Sequence, residues 1–281
     1  MGVKTDGWLF RLFPKIALAE VRAGIQLEPG RAWFEDRRRE VGEYFSMTEE
    51  QLAALEKEHP FDSNQYRDRR ISSAFEKADA MGDAEVVESY RRIADYYILR
   101  LMLAYDRVAQ ALPLLNLMLR LAPGGRVLDY GCGASDTGLV FAIHVFQVSI
   151  CDVAGGNLDF ARWRYQRRGL PVIAVPATEK DVYPDLGEDL DFIAALEILE
   201  HLPSPTRALD KMHAALRTGG LFAVREKSFE EKQDGDHLPG AYREWADGGY
   251  RRRRDELFRD VTSGYGRRYR GSKYMKLYQK K

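Results

Sequence analysis

Residues 127–139, VLDYGCGASDTGL, set an acidic residue and two closely spaced glycines at the end of an apolar run. Asp129 offers a carboxylate. Gly131 and Gly133 let the backbone turn sharply and let a ligand approach main-chain N–H groups without meeting a Cβ. A helix opening near Ser135 points its positive end at the same spot. That geometry suits a nucleotide-like ligand, carrying a phosphate, a ribose or a sulfonium. Further on, Asp152 closes the run VSICDV, and Glu197 and His201 stand together in ALEILEHLPSP. A strand-end carboxylate accepts hydrogen bonds from vicinal hydroxyls. An imidazole changes charge near neutral pH and serves as a base, so His201 is the first candidate for catalysis and His237, in DGDHLPGAY, the second.

Three readings of the glycine loop compete. A P-loop requires Gly-x-x-x-x-Gly-Lys-Ser/Thr, and no Lys follows here. A dinucleotide fingerprint requires Gly-x-Gly-x-x-Gly, but position 136 is Asp, which at the start of a helix repels a pyrophosphate. A ligand carrying a ribose and an amino acid's ammonium tolerates nearby carboxylates.

On these residues, 126 to about 226 resemble a class I S-adenosylmethionine (SAM)-dependent methyltransferase. That family ends its first strand in an acidic-x-Gly-x-Gly-x-Gly loop, matched by Asp129, Gly131 and Gly133, with Ser135 in place of the last glycine. The family's acidic residue after strand two holds the ribose. Asp152 matches it, 23 residues after Asp129, and Val153 follows. The loop after strand three frames the adenine and corresponds to PATEKDVYP. Where the family usually has Asp, Ala177 stands here, which leaves Thr178, Glu179 or backbone to hold the adenine amino group. Glu197 and His201 match an acid and a histidine that the family often places after strand four. Val145 replaces a glycine usual in the turn before strand two. The resemblance implies SAM as cofactor, S-adenosylhomocysteine as product, and Asp129, Gly131, Gly133, Ser135, Asp152, Val153, Thr178, Glu179 and Glu197 as cofactor-binding residues.

The elements that must position these residues fall into two parts. Residues 1–122 read as helical, a lid over the site, and 123–281 as the SAM-binding domain with an insertion at about 227–249. Thr48 and Gln51 in TEEQLAALEKE form a capping-box pattern. Residues 83–112 place Val86, Tyr90, Ile93, Tyr97, Leu101, Ala104 and Val108 on one face of a helix that Pro113 kinks or ends. Tyr90, Tyr96 and Tyr97 read as helix core or as a substrate cage. From Arg126 strands and helices alternate: RVLDY, VSICDV, PVIAVP, LDFIAAL and LFAVREK are strands, and the helix PTRALDKMHAALRTGG stops at Gly219–Gly220. This is an α/β, Rossmann-like, doubly wound sheet, mostly parallel. The tail, GRRYRGSKYMKLYQKK, reads as two short strands joined near Gly271–Ser272 at an antiparallel edge.

The chain has 281 residues and equal numbers of Lys plus Arg and Asp plus Glu, 43 of each, so overall charge points to no polyanionic partner. From Arg251 to Lys281 there are twelve Lys or Arg against three Asp or Glu. RRRR, 251–254, is a solvated helix face or a phosphate-binding patch. Cys132 and Cys151 look like reduced thiols, and no metal-ligand spacing is present, so no metal is expected. GWLFRLFPKIALAEVR lacks a cleavage site and a run of spanning length. It reads as a surface or cleft-covering stretch, with an oligomer or membrane-surface contact as alternatives, and the chain reads as cytoplasmic with no transmembrane segment. The N-terminal helices are a possible homo-oligomer contact.

The expected activity is methyl transfer to a small-molecule acceptor, through an O, N, C or S nucleophile. After strand four there is neither the Asp/Asn-Pro-Pro-Tyr/Phe stretch nor the Pro-Cys pair that methylation of nucleic-acid bases uses in this family. The alternatives are a nucleic-acid or protein methyltransferase using the basic tail and a non-catalytic SAM-binding module.

Overall fold

A computed structural model describes residues 31–58, 69–104, 108–225, 237–265 and 274–281. The described N-terminal part is helical: α1 (Arg31–Phe45), α2 (Glu49–Glu58), α3 (Arg69–Met81), α4 (Asp83–Arg92), α5 (Ala94–Ala104) and α6 (Val108–Leu121). The capping box holds α2, because Gln51 N–H donates to Thr48 Oγ1 at 3.3 Å and Thr48 N–H to Gln51 Oε1 at 2.7 Å. The expected single helix over 83–112 is three helices. It breaks at Ile93, whose φ of −110° leaves the helical range, and residues 105–107 lie outside those described. Pro113 does not end a helix, since α6 runs through it.

The rest alternates as expected: β1 (Arg126–Tyr130), α7 (Asp136–Ile143), β2 (Gln147–Val153), α8 (Gly156–Arg167), β3 (Ile173–Ala177), β4 (Leu190–Ala195), α9 (Pro205–Ala215) and β5 (Leu216–Arg225). Then follow α10 (Pro239–Ala246), α11 (Gly249–Leu257), β6 (Phe258–Asp260), α12 (Thr262–Tyr265) and β7 (Met275–Lys280). The sheet order is β3-β2-β1-β4-β5-β7-β6. Strands β1 to β5 pair in parallel, and β7 joins antiparallel to both β5 and β6. The order in which strands are added reverses at β1, with β2 and β3 on one side and β4 and β5 on the other. Open α/β sheets bind ligands in the crevice at that switch.

Both faces of the sheet are covered, because successive strand residues point to opposite sides. Phe192 and Ala194 of β4 join the apolar cluster of α6, α7 and α8, while Ile193 and Ala195 join the cluster of α3, α4 and α9. A third cluster packs Val41, Leu52, Ile98 and Met102 against Ala134 and Phe160. It seats α1, α2 and α5 on the glycine loop and α8.

Two boundaries differ from expectation. Helix α9 starts on its Ser204 cap and Pro205 but ends at Ala215, and Gly219–Gly220 lie inside β5. A Cβ on Gly220 would stand 2.9 Å from both the Leu190 and Arg217 carbonyl oxygens. The glycine pair serves a strand irregularity opposite Leu190–Phe192, not a helix stop. On its outer side β7 pairs with β6, which begins at Phe258. The expected first tail strand lies in residues 266–273, outside those described, as do GWLFRLF and residues 227–236 of the expected insertion.

Candidate active site

The glycine loop is built by backbone conformation first. Gly131 (φ 68°) and Gly133 (φ 52°) adopt the left-handed conformation, and Ser135 adopts it too, at φ 58°. Ser135 therefore keeps the backbone geometry of the glycine it replaces, at a steric cost of roughly 1–2 kcal/mol. Its hydroxyl bonds to Asp129 Oδ2 at 3.1 Å and lies 3.3 Å from Tyr165 Oη. Val145 likewise keeps a left-handed φ, 61°, in place of the glycine usual there.

Asp129 is buried, and Oδ2 also accepts from Gly138 N–H at 2.9 Å. It ties the end of β1 to the first turn of α7. Asp152 crosses between strands: Oδ2 accepts from Gly133 N–H at 2.7 Å and Oδ1 from Val153 N–H at 2.8 Å. Burial pushes its carboxyl above the ordinary aspartate value, against the lowering effect of hydrogen bonds from Gly133, Val153 and Asn157 and of the His201 charge. Each carboxylate oxygen has two acceptor sites, so Asp152 retains capacity for a ligand's hydroxyls.

An open cavity of about 1130 Å³, solvent-facing mouth included, lies against these groups. Its sheet side carries Asp129, Gly131, Gly133, Ser135, Asp152 and Val153, with Ala177 and Val182 beside them. Its other wall is Val86, Val87, Tyr90, Tyr97 and Leu101 from α4 and α5, and it ends at Glu197 and His201. Tyr96 is not in the lining. Glu197 holds a left-handed φ of 55° and pairs with Arg225. Tyr90 Oη lies 3.0 Å from His201 Nδ1.

Thr178 and Glu179 stand outside that lining. Thr178 caps a turn with Asp181, whose N–H donates to Thr178 Oγ1 at 3.1 Å. Glu179 pairs with Arg91 of α4. His237 is also outside, but the structure brings it to His201, with ring centroids 5.0 Å apart. Glu200, His201 and His237 place ligand atoms within 4.8 Å of one another, a grouping that no local spacing announces.

Asp136 corrects a step of the phosphate argument. It is buried and paired with Arg164 at 2.8 Å and Arg37 at 3.3 Å. Although Asp136 borders the cavity, its charge is balanced by these two guanidinium groups and is not that of a free carboxylate. Both cysteines are free thiols, and burial, with Asp152 adding to it, pushes them well above the ordinary range, so neither is a nucleophile.

Residues 102–261, more than half of the chain, match the family described as "Methyltransferase domain". The chain belongs to the class I SAM-dependent methyltransferases. A ubiquinone biosynthesis O-methyltransferase of Pseudomonas syringae pv. tomato is 29% identical over 97 residues, which are 34% of this chain and 42% of that protein. The enzyme of the same name from Ruegeria pomeroyi is 34% identical over 98 residues, 35% of this chain and 39% of that one. The chain thus matches about two fifths of the length of these curated relatives. A crystal structure of a putative O-methyltransferase from Nostoc punctiforme superposes with a TM-score of 0.50 at 15% identity, covering 79% of this chain and 70% of that one, and shares the fold.

SAM is the cofactor of this methyltransferase family, and the donor set of the cavity fits it. Carboxylates at the ends of β1 and β2 suit an ammonium and a ribose, and Val153, Ala177 and Val182 offer apolar surface for a base. The loop's tightness fits as well, since a Cβ on Gly131 would lie 2.2 Å from Ile198 Cγ1. Among the lining residues, Val86 and Leu101 were legible only as one face of a lid helix, and Val87, Asn157 and Ile198 carry no signal in local motifs, because the fold brings them in from separate elements.

Proposed function

We propose that the protein transfers the methyl group of SAM to a hydroxyl of a small, ring-bearing acceptor. The observation that carries this is one cavity with Asp152 and the glycine loop at one end and the Tyr90–His201 pair, 3.0 Å apart, at the other. Asp152 and Val153 hold the ribose, Ala177 and Val182 flank the adenine, and Asp129, Gly131 and Glu197 face the methionine part. Backbone next to Thr178 serves the adenine edge, as both Thr178 and Glu179 face elsewhere. Transfer is an in-line displacement in which the methyl–sulfur bond breaks as the methyl–oxygen bond forms, so near-attack geometry does most of the work. The acceptor proton leaves at the His201 end. The relatives' name, ubiquinone biosynthesis O-methyltransferase, supports an oxygen acceptor, and the aromatic walls Tyr90 and Tyr97 suit a ring.

In this reading α4 and α5 are the lid of residues 1–122, covering the methyl group from water. The protein works in the cytoplasm, and no helix of the described residues is long and apolar enough to cross a membrane. A nucleic-acid acceptor is disfavoured by 251–254. Arg253 is paired with Asp210 and Glu256, Arg254 with Asp255, and Arg251 lies over Trp245.

Calorimetric titration with SAM, S-adenosylhomocysteine, NAD and ATP tests the cofactor, and label transfer from methyl-labelled SAM to a panel of phenols and other metabolites tests the acceptor. Binding of SAM and its product alone, with label on a phenolic oxygen, is the expected result. Tight NAD or ATP binding without SAM binding overturns the reading, as does label found only on RNA or protein.

A further inference from the structure

The loop after β4 and the chain entering α10 meet beside the cavity, and their meeting is fixed by backbone. Leu238 N–H donates to the Glu200 carbonyl at 2.9 Å, so His237 is held against the short 3₁₀ turn Leu199–His201. Glu200, His201 and His237 then place one ligand atom each within 4.8 Å of one another. Glu200 is buried, at 1% exposure, while both imidazoles are half-buried and His201 lines the cavity.

We infer that Glu200, His201 and His237 form a binding site for one divalent transition-metal ion at the acceptor end of the cavity. The donors are two imidazoles and one carboxylate, a set that suits zinc, cobalt, manganese or ferrous iron, and not calcium, which takes six to eight oxygens. A ring of three protein ligands leaves coordination positions for a substrate oxygen.

A second observation supports a metal site over a chance cluster. Each imidazole has its Nδ1 on a tyrosine hydroxyl, His201 on Tyr90 at 3.0 Å and His237 on Tyr242 at 3.0 Å. Metal-binding histidines characteristically donate their second ring N–H to a neighbouring oxygen, usually of a carboxylate, backbone carbonyl or water. Here a tyrosine oxygen takes that place and fixes the tautomer and the ring plane. With Nδ1 on the phenol, Nε2 is the atom assigned to the metal. Tetrahedral ligands at bond lengths of about 2.0–2.1 Å stand roughly 3.3 Å apart, so the three side chains close in modestly on binding. His237 comes from a segment remote in sequence, which is why neither its spacing nor its neighbours in the chain carry a metal motif.

The use of the site rests on the methyl-transfer reading: an acceptor hydroxyl oxygen bound to the cation is positioned at the wall that faces the methyl group. The existence of the site does not rest on it, and the test is arranged accordingly. Zn²⁺ affinity is measured on the full chain without SAM, by competition against a chromogenic chelator, and Co²⁺ is added as a spectroscopic probe. One Zn²⁺ per chain is expected, with His201→Ala and His237→Ala each weakening it at least tenfold and Glu200→Gln weakening it severalfold. Tyr242→Phe, which spares all three ligands, is expected to cost about ten- to a hundredfold in affinity. Co²⁺ should give visible absorption bands that His237→Ala changes. Thermal melting of each metal-free variant identifies folded protein, and a SAM titration of His237→Ala reports the cofactor site separately. Zn²⁺ affinity unchanged in both folded histidine variants, or lowered equally by His144→Ala, overturns the inference. Loss of SAM binding in the parent protein overturns the functional reading alone.

Discussion

Two carboxylates flank the glycine loop, and their surroundings differ in kind. Asp136 borders the cavity, but its carboxylate oxygens bond into a largely buried cluster in which Arg164 contacts Asp136 at 2.8 Å and Glu40 at 2.9 Å, and Arg37 and Arg168 complete the set. Asp36 reaches Arg168 at 3.5 Å, so three acids oppose three arginines. Asp152 has backbone N–H groups as partners and faces the cavity. Guanidinium partners fix a carboxylate's charge for the fold and join α1 to α8. Backbone partners orient a carboxylate and leave its charge for a ligand. For these two carboxylates the type of partner, and not distance from the glycine loop, separates scaffold from site.

The sharpest way to break that comparison is Arg164→Ala. It leaves three acids against two arginines in a largely buried setting, and removing one member of such a set costs about 3–5 kcal/mol. A urea melt should show the midpoint falling steeply. A loss below about 1 kcal/mol would mean that the cluster is wet and the contrast with Asp152 false.

Asp152→Ala is the opposite experiment. Hydrogen bonds to a charged group are worth roughly 1.5–3 kcal/mol each, so SAM affinity should drop about tenfold to a few hundredfold. Stability should change little, because the side chain packs at a cleft. Asp152→Asn should lose less, as its amide oxygen still accepts. The ionised form is the acceptor, and burial raises its pKa. Affinity in the parent therefore falls on acidification at a higher pH than an ordinary aspartate would give, and Asp152→Asn should remove that dependence. A titration in which Asp152→Ala binds SAM as well as the parent removes the ribose assignment.

The same contrast explains what could be read from sequence. Asp129, Gly131, Gly133 and Asp152 announce themselves because strand ends and glycine turns are local, and the alternating βα pattern that carries them is local too. Asp136 looked like a cavity charge because Arg37 and Glu40 lie far from it along the chain, and Glu40 is 124 residues from Arg164. Charged residues on a helix read as solvated, and only packing of α1 on α8 buries them. Gly219–Gly220 looked like a helix stop because a glycine pair has the same local meaning in a helix end and in a strand irregularity. Pairing of Leu216 with Leu190 decides between the two. His237 entered as a lone base, and its meeting with Glu200 and His201 is a tertiary contact, held in part by the bond from Leu238 to Glu200.

Ser135 probes the boundary between the two carboxylate environments, since its hydroxyl holds Asp129 while its backbone sits at φ 58°. Ser135→Ala loses a hydrogen bond to a charged group and keeps the strain, a cost of about 1.5–3 kcal/mol. Ser135→Gly loses the same bond and relieves roughly 1–2 kcal/mol of left-handed strain. The glycine variant should therefore melt above the alanine variant. The reverse order would show that the relief of left-handed strain is smaller than the entropy a glycine adds to the unfolded chain.

The smallest effect is expected where a carboxylate meets an arginine in water. Glu179 pairs with Arg91, which also donates to the Ala154 carbonyl at 3.0 Å, so one side chain of α4 spans the loops after β2 and β3. The Arg91 hydrogen bond lowers the Glu179 carboxyl from 4.5 to about 2. A carboxyl lowered on folding contributes stability that is complete above its unfolded pKa and disappears as pH falls through the folded one. The window is thus from about pH 4.5 down to about pH 2, and exposure keeps the contribution slight. Glu179→Gln should flatten the acid limb of stability in that window and leave the neutral melting temperature almost unchanged. Because α4 forms a wall of the cavity, the variant should also release SAM about two- to threefold faster in stopped-flow. A dissociation rate identical to the parent's would show that Arg91 and Glu179 decorate the surface and that α4 is held over the cavity by its buried Val86 and Val87 alone.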